Sequence, residues 1–408
     1  MRVLVEGSGG SAGWPQPGCR CASCLRQAAA GNARKRSTIV VDGRLRLGGG
    51  GAGGGGAGGG GAGGGGAGGG GAGGADTGIG GAGGADTGVG AGGADTGVGA
   101  GVGGAGAGGY RVLRLGDLGG PGDGGWDVTA PDGGRLLYPG GPGARPAPPE
   151  GTAPYDVAFL DLLGDPAQLG WLRARGLISA GTVTAVAYAD HRVPSEAELA
   201  RRCGFWRVRQ AGDGEAIDPA RSVLKDRDLP AGTRRVLVLG GARSGKSERA
   251  ELRLAGEPEV TYVATGIRGT DDPDWAVRIA AHRARRPAWW RTAETTDLAG
   301  LLGTVRGALL IDGIGTWLAS VLDECGWDPR DGAAREKVAA RIAELTGAWR
   351  QARGYVVAVS DETGLGVVPA TPAGRLFRDE LGRLNQALAA ESEEAELVVA
   401  GRVLPLGE

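Results

Sequence analysis

Gly240-Gly-Ala-Arg-Ser-Gly-Lys-Ser247 is the segment whose residue types and spacing most directly imply chemistry. It fits G-x-x-x-x-G-K-[ST], a spacing in which backbone N–H groups and a helix N-terminus close around phosphate. Gly240, Gly241, Ala242, Arg243, Ser244 and Gly245 are the cradle of that reading. Lys246 supplies a point charge to the β and γ phosphates, and Ser247 is placed to bind Mg²⁺. Asp312 ends the apolar run Ala308-Leu-Leu-Ile311. A carboxylate there is either the second, metal-linked acid of such a site or an ordinary strand-end aspartate.

His282 is one of only two histidines and stands in Arg278-Ile-Ala-Ala-His-Arg-Ala-Arg-Arg-Pro287. It reads in two ways. A lone histidine in a basic helix is commonly a solvated surface residue. Alternatively, neighbouring arginines disfavour a second positive charge, keep the imidazole neutral and bind phosphates bidentately. A neutral imidazole beside a triphosphate is a nucleophile able to form a phosphoramidate.

The elements that must position these groups are also legible. Val236-Leu-Val-Leu239 predicts a strand running into the cradle, with a helix over 247–255 behind it. Further strands are expected at Val260–Ala264, Ala308–Asp312, Tyr355–Asp361 and Ala395–Ala400. Helices are expected at 273–285, 333–352 and 372–391. Apolar strands alternating with helices imply a parallel sheet covered on both faces.

Upstream, Arg2–Glu6, Ser37–Asp42, Tyr155–Leu163 and Thr182–Tyr188 read as strands. Trp126–Tyr138 reads as a hairpin about Asp132-Gly133, and Ser195-Glu-Ala-Glu198 as a capping box opening a helix. Residues 211–234 are polar and interrupted by proline and glycine, as expected of a linker.

Of the 87 glycines, about 39 fall within residues 48–109, where alanine recurs every five residues and Ala-Asp-Thr-Gly appears three times. With almost no side chain to bury, this tract reads as a flexible insertion, the alternative being an ordered glycine-rich packing. The expected organisation is therefore one α/β unit from residues 1–47 and 110–210, the tract at 48–109, a linker at 211–234, and a P-loop unit at 235–408.

Forty-five basic against 46 acidic residues argue against a generic nucleic-acid or membrane-surface binder. No run approaches the ~18 apolar residues that span a bilayer, and MRVLVEGSGG lacks the features of a signal peptide. Five cysteines form no disulfide framework, so a cytoplasmic location is expected.

Residues 235–408 resemble the bifunctional adenosylcobinamide kinase and adenosylcobinamide-phosphate guanylyltransferase family of cobalamin biosynthesis. The resemblance is carried in order by Gly240–Ser247, Val263-Ala-Thr265, His282–Pro287, Trp290-Arg-Thr-Ala-Glu294, Glu362-Thr-Gly-Leu-Gly-Val-Val-Pro369, Phe377-Arg-Asp379 and Leu384-Asn-Gln386. It implies a RecA-like P-loop fold, usually homo-oligomeric, that uses GTP and ATP with Mg²⁺. The substrates it implies are adenosylcobinamide and adenosylcobinamide phosphate. It assigns the guanylylated histidine to His282. It places GTP contacts at Gly240–Ser247, Thr265, Gly266, Arg283, Ala284, Arg285, Arg286, Glu294 and Asp312. The family has a glutamate where this chain has Asp312, and often Asn-Glu where it has Asp361-Glu362.

The N-terminal segment Gly13-Trp-Pro-Gln-Pro-Gly-Cys-Arg-Cys-Ala-Ser-Cys24 resembles the start of metallo-β-lactamase-like proteins. That implies a mixed α/β domain, interrupted here by the glycine tract. It is degenerate, because the superfamily's H-x-H-x-D-H motif is missing and only His191 remains. Cys19, Cys21 and Cys24 are either ligands of a structural Zn²⁺, completed by Cys203 or water, or reduced free thiols. The competing functional readings are another P-loop kinase or NTPase in which His282 is incidental, a glycine-rich interaction protein, and a metal-dependent hydrolase.

Overall fold

A computed structural model of the chain describes residues 1–48, 108–115, 125–143, 145, 146, 148, 150–222, 234–266, 283–304 and 306–407. Most of the glycine tract and the expected helix at 273–285, apart from its last three residues, lie outside the described residues; so does His282.

In the N-terminal half, β1 (Val3–Gly7), α1 (Ala22–Ala29), β2 (Thr38–Val41) and β3 (Leu45–Gly48) precede the tract. After it come β4 (Arg111–Arg114), β5 (Gly125–Thr129), β6 (Arg135–Pro139), β7 (Val157–Leu160), α2 (Ala167–Ala174), β8 (Val183–Val186) and α3 (Glu196–Trp206). Two short elements, β9 (Ala216–Ile217) and α4 (Pro219–Ser222), complete it. One sheet has the order β3-β2-β1-β9 and the other β4-β5-β6-β7-β8. The first is antiparallel throughout. The second is antiparallel across β4–β6, including the expected hairpin, and parallel from β6 to β8.

The two sheets pack face to face. Alternating residues Val3 and Val5 of β1 and Ile39 and Val41 of β2 meet Val128, Leu136, Val157 and Phe159 of the second sheet. The opposite face of that second sheet carries Leu137, Ala158 and Leu160, which bury Leu169 and Leu172 of α2 and Leu199 and Trp206 of α3. A two-residue period thus feeds two separate cores.

Residues 211–222, expected to be linker, belong instead to this half. β9 hydrogen-bonds to β1, and the Asp213 carboxylate accepts from the backbone N–H groups of Ser8 and Lys35. Polar composition misled here because strand pairing uses backbone groups that leave no compositional mark.

The C-terminal half contains β10 (Arg234–Gly240), α5 (Lys246–Leu254), β11 (Val260–Ala264), β12 (Arg291–Glu294), α6 (Leu298–Thr304), β13 (Ala308–Asp312) and α7 (Ile314–Cys325). It continues with α8 (Gly332–Gln351), β14 (Tyr355–Asp361), α9 (Pro372–Ala390), β15 (Glu394–Val399) and β16 (Arg402–Leu406). The sheet order is β12-β11-β13-β14-β10-β15-β16. All neighbours are parallel except β15 and β16. Leu237 and Leu239 of β10 face α6–α9, while Val236 and Val238 face Ala250 and Leu254 of α5. Burial on both faces explains why these strands read as continuous apolar runs. Among the described residues no helix is long and apolar enough to cross a membrane.

Candidate functional site

Gly240, Ala264, Asp312, Asp361 and Glu294 are the last residues of five parallel strands. Their shared end of the sheet is where an open α/β fold binds its ligand. β14 lies between the P-loop strand β10 and the Asp312 strand β13.

The loop after β10 is tightly held. A Cβ on Gly240 would lie 2.4 Å from Ser244 Oγ and 2.7 Å from Val398 O, so only glycine lets the chain turn there. Gly401 N–H donates to Ser244 O at 2.8 Å, tying the loop to the β15–β16 turn. Ser244 is buried, whereas Gly241, Ala242 and Arg243 form its exposed rim. Gly245 immediately precedes α5, so that helix's first N–H groups open toward the loop.

Lys246 Nζ lies 2.8 Å from Asp361 Oδ1 and donates to Gly241 O at 3.1 Å. Ser247 Oγ donates to Asp312 Oδ1 at 3.3 Å, and Tyr262 OH donates to Asp312 Oδ2 at 3.1 Å. The hydroxyl and carboxylate that the sequence separates by 65 residues are thus neighbours. Both are hard oxygen donors, which suits Mg²⁺. Burial, reinforced by the Asp312 charge, keeps the Tyr262 phenol protonated and a hydrogen-bond donor.

Thr265 is fully buried and its hydroxyl is spent on the protein. It donates to Gly313 O at 2.6 Å, accepts from Gly313 N–H and meets Thr316 Oγ1 at 2.5 Å. A nucleotide contact at Thr265 or at Gly266 beside it would therefore come from the backbone. The arginine segment folds back over the same end of the sheet. Arg285 pairs with Glu251 of α5 at 3.1 Å, Arg286 lies over the Tyr262 ring at 3.5 Å, and Arg283 approaches Glu294 at 3.4 Å. Ala284 is exposed between them. Burial lowers the Arg286 guanidinium from its ordinary value.

Tyr262 and Asp361 were not singled out from sequence as site residues. Asp361 could have been found as a strand-end carboxylate like Asp312, but Tyr262 is one aromatic residue within a strand and carries no such signal. The Lys246–Asp361 pair has a measurable consequence. Nucleotide must draw Lys246 away from a carboxylate, a competition that an amide weakens. Asp361→Asn is therefore expected to tighten GTP binding roughly two- to fivefold, the worth of a partly exposed ion pair. Titration calorimetry at low salt checks this, and an unchanged or weaker Kd would refute it.

A second cluster lies in the N-terminal half. One ligand atom each from Cys19, Cys21, Cys24 and His191 all lie within 4.8 Å of one another, and Cys24 Sγ is 4.0 Å from His191 Nδ1. Cys21 caps α1 and accepts the Cys24 N–H at 3.4 Å, which holds its thiol below the ordinary range. Burial pushes the Cys24 thiol up to about 11. Cys203, a candidate fourth ligand by residue type, is not in this group. It is buried in α3 among apolar side chains, with its thiol pushed up to about 12. His191 takes that place, because the α1 and 189–195 segments are joined by the Ser23 hydroxyl donating to Val193 O at 2.6 Å.

A glycine loop feeding a helix N-terminus, with a lysine, a helix hydroxyl and a strand-end carboxylate at one end of a mostly parallel sheet, defines a P-loop nucleotide-binding enzyme. Residues 236–406 match the family described as cobinamide kinase / cobinamide phosphate guanyltransferase. Over 180 residues the chain is 43% identical to the bifunctional adenosylcobalamin biosynthesis protein CobP of Pseudomonas aeruginosa, covering 42% of this chain and 96% of the relative. It is 41% identical over 180 residues to CobU of Salmonella typhimurium, and 36% identical over 177 residues to CobU of Escherichia coli. Each alignment covers 41% of this chain and 96% of the relative. The chain belongs to the cobinamide kinase / cobinamide phosphate guanyltransferase family.

Proposed function

We propose that the C-terminal unit phosphorylates adenosylcobinamide and then transfers GMP from GTP to the product, giving adenosylcobinamide-GDP through a covalent intermediate on His282. The observation that carries this is the convergence of Lys246, Ser247 and Asp312, on a segment 43% identical to a bifunctional relative across nearly all of that relative's length. In the first step the aminopropanol hydroxyl attacks the γ-phosphorus of ATP or GTP and the β–γ bridge breaks. Lys246 offsets charge on the departing oxygens while the α5 N-terminus orients the phosphates. In the second, a His282 ring nitrogen attacks the α-phosphorus of GTP and pyrophosphate leaves. The cobinamide phosphate oxygen then displaces the histidine.

Arg283, Arg285 and Arg286 supply cations that hold the phosphates and disfavour imidazolium formation at the neighbouring His282. Ser247 and Asp312 would hold Mg²⁺, which supplies neutralisation of phosphate charge when bound. Exposed Leu365, Val367 and Val368 follow closely after Asp361 and offer an apolar surface for the corrinoid acceptor. We take the working protein to be a cytoplasmic homo-oligomer. The deciding experiment is incubation with adenosylcobinamide, ATP and GTP, with products separated by mass. Absence of both the phosphate and the GDP adduct would overturn the reading.

The domain organisation we propose is the N-terminal half, ending near residue 222, joined to a P-loop unit that begins at β10. The face-to-face sheets with flanking helices support reading the N-terminal half as a degenerate metallo-β-lactamase-like domain without hydrolase activity. Cys19, Cys21, Cys24 and His191 suit a structural Zn²⁺, since three sulfurs and one nitrogen are a closed tetrahedral donor set. Metal analysis of the purified full-length chain is expected to give one Zn²⁺ per chain. Cys24→Ser is expected to lose it with a lowered melting temperature, and a metal-free chain of unchanged stability would exclude this role.

A further inference from the structure

The helix that begins at the P-loop is held along its length by the other half of the chain. Arg249 lies two residues beyond Ser247. Its backbone N–H donates to Gly245 O at 2.9 Å, closing the first helical turn onto the phosphate loop. Its side chain is only 4% exposed and reaches two carboxylates. NH1 donates to Glu198 Oε1 of α3 at 2.8 Å, and Nε and NH2 donate to the two oxygens of Glu396 on β15 at 2.9 and 2.8 Å. Arg253, one turn on, shares Glu396 at 2.9 Å and pairs with Glu394 at 2.5 Å. The ring of Phe205 from α3 lies 4.9 Å from the Arg249 guanidinium and 5.3 Å from that of Arg253. Burial alone would raise the Glu396 carboxyl, but the hydrogen bonds from both arginines outweigh it and hold the group at about 2.

The far end of α5 is capped by the same half. Trp206 Nε1 donates to Leu252 O at 2.9 Å, and Arg173 NH1 donates to Gly256 O at 2.7 Å. These carbonyls belong to the last turn and just beyond, where helices otherwise lack intrahelical partners. A cation beside them also suits the negative end of the helix dipole. Gly170 of α2 makes the approach possible, because a Cβ there would lie 2.6 Å from both Ala255 O and Glu257 O.

We propose that the N-terminal half is a built-in buttress of the nucleotide site, and that Glu198 is a positioning residue for the P-loop. A buried guanidinium needs its full set of acceptors, and losing one strongly destabilises the arrangement around it. Here that guanidinium belongs to the residue whose backbone closes the phosphate loop. Loss of Glu198 leaves the Arg249 side chain held by Glu396 on one side, with NH1 without its carboxylate. The first turn of α5, which carries Lys246 and Ser247, then loses its tie to α3. The proposal rests on the reading of this site as a GTP site.

The experiment compares full-length Glu198→Ala and Glu198→Gln with Val5→Ala, a core truncation in the first sheet, where Val5 is buried among apolar neighbours. GTP binding is measured by calorimetry and stability by thermal unfolding. Glu198→Ala is expected to weaken GTP binding roughly five- to twentyfold. Glu198→Gln, which keeps a neutral acceptor, is expected to weaken it roughly two- to fivefold. Val5→Ala is expected to lower the melting temperature while holding the GTP Kd within about twofold. If Glu198→Ala does not fold, the glutamine variant decides. A folded Glu198→Gln with an unchanged Kd, or a Val5→Ala weakened as much as the Glu198 variants, overturns the proposal. A wild-type chain that does not bind GTP would instead overturn the nucleotide reading beneath it.

Discussion

Lys246→Ala is expected to abolish both phosphoryl and guanylyl transfer. The structure directs the Lys246 ammonium into the strand-end crevice, paired with Asp361 at 2.8 Å and hydrogen-bonded to Gly241 O. Both proposed reactions act on a triphosphate and both develop charge on phosphate oxygens. One lysine therefore serves two leaving groups, the nucleoside diphosphate in the first reaction and pyrophosphate in the second. Removing a charge aimed at developing negative charge in a sheltered site costs about 3–4 kcal/mol, or roughly 10²–10³ in rate. Truncation also leaves Asp361 facing the phosphates without its counter-ion, which adds repulsion to lost attraction. The loss should therefore reach the upper end of that range or exceed it. Steady-state rates of adenosylcobinamide phosphorylation and of adenosylcobinamide-GDP formation check this separately. Near-normal phosphorylation in the variant would show that the two reactions do not share this loop.

His282→Ala is expected to divide the two reactions. Transfer of a γ-phosphoryl group to a hydroxyl needs positioning and charge neutralisation, and the substrate brings its own nucleophile. In the proposed mechanism Lys246, Ser247 and Asp312 would meet that need without a histidine. Guanylyl transfer by a covalent route does require a protein nucleophile, and His282 is the one histidine of residues 235–408. The variant should form no acid-labile, alkali-stable adduct from α-labelled GTP, while phosphorylating adenosylcobinamide within roughly threefold of wild type. Label retained on the alanine variant would rule out His282 as the attachment point. An equal loss of both activities would make it a binding residue instead.

The P-loop was legible because its chemistry is local. Eight consecutive residues hold the turn, the close approach at Gly240 and the helix start, and no distant partner is needed to recognise them. The central strands were legible for a related reason. Burial on both faces demands unbroken apolar runs, and Val260–Ala264, Ala308–Asp312 and Tyr355–Asp361 occupy the predicted bounds. β12 and β16 are edge strands of mixed composition, Arg-Thr-Ala-Glu and Arg-Val-Leu-Pro-Leu, and carry no such pattern. Edge strands bury less, so fewer of their side chains are constrained to be apolar.

Glu198 separates what the sequence determined from what the tertiary structure decided. Ser195-Glu-Ala-Glu198 marks a helix start, and the Ser195 hydroxyl does accept the Glu198 N–H at 3.2 Å. The Glu198 carboxylate does not return to the cap, as the four-residue rule expects. It turns to Arg249, 51 residues away, and to Arg201 and Arg202 on its own helix. Capping rules weigh a carboxylate against backbone groups a few residues distant. They hold no information about a guanidinium that becomes buried only when α3 settles on α5. The same holds for His191 joining three thiols 167 or more residues earlier, for Tyr262 reaching Asp312, and for Asp361 holding Lys246. Residue identity determined which groups could bind phosphate, metal or protons. Chain crossings between distant segments determined which of those groups became neighbours, because hydrogen bonds and ion pairs act over a few ångströms in space and are indifferent to separation along the chain.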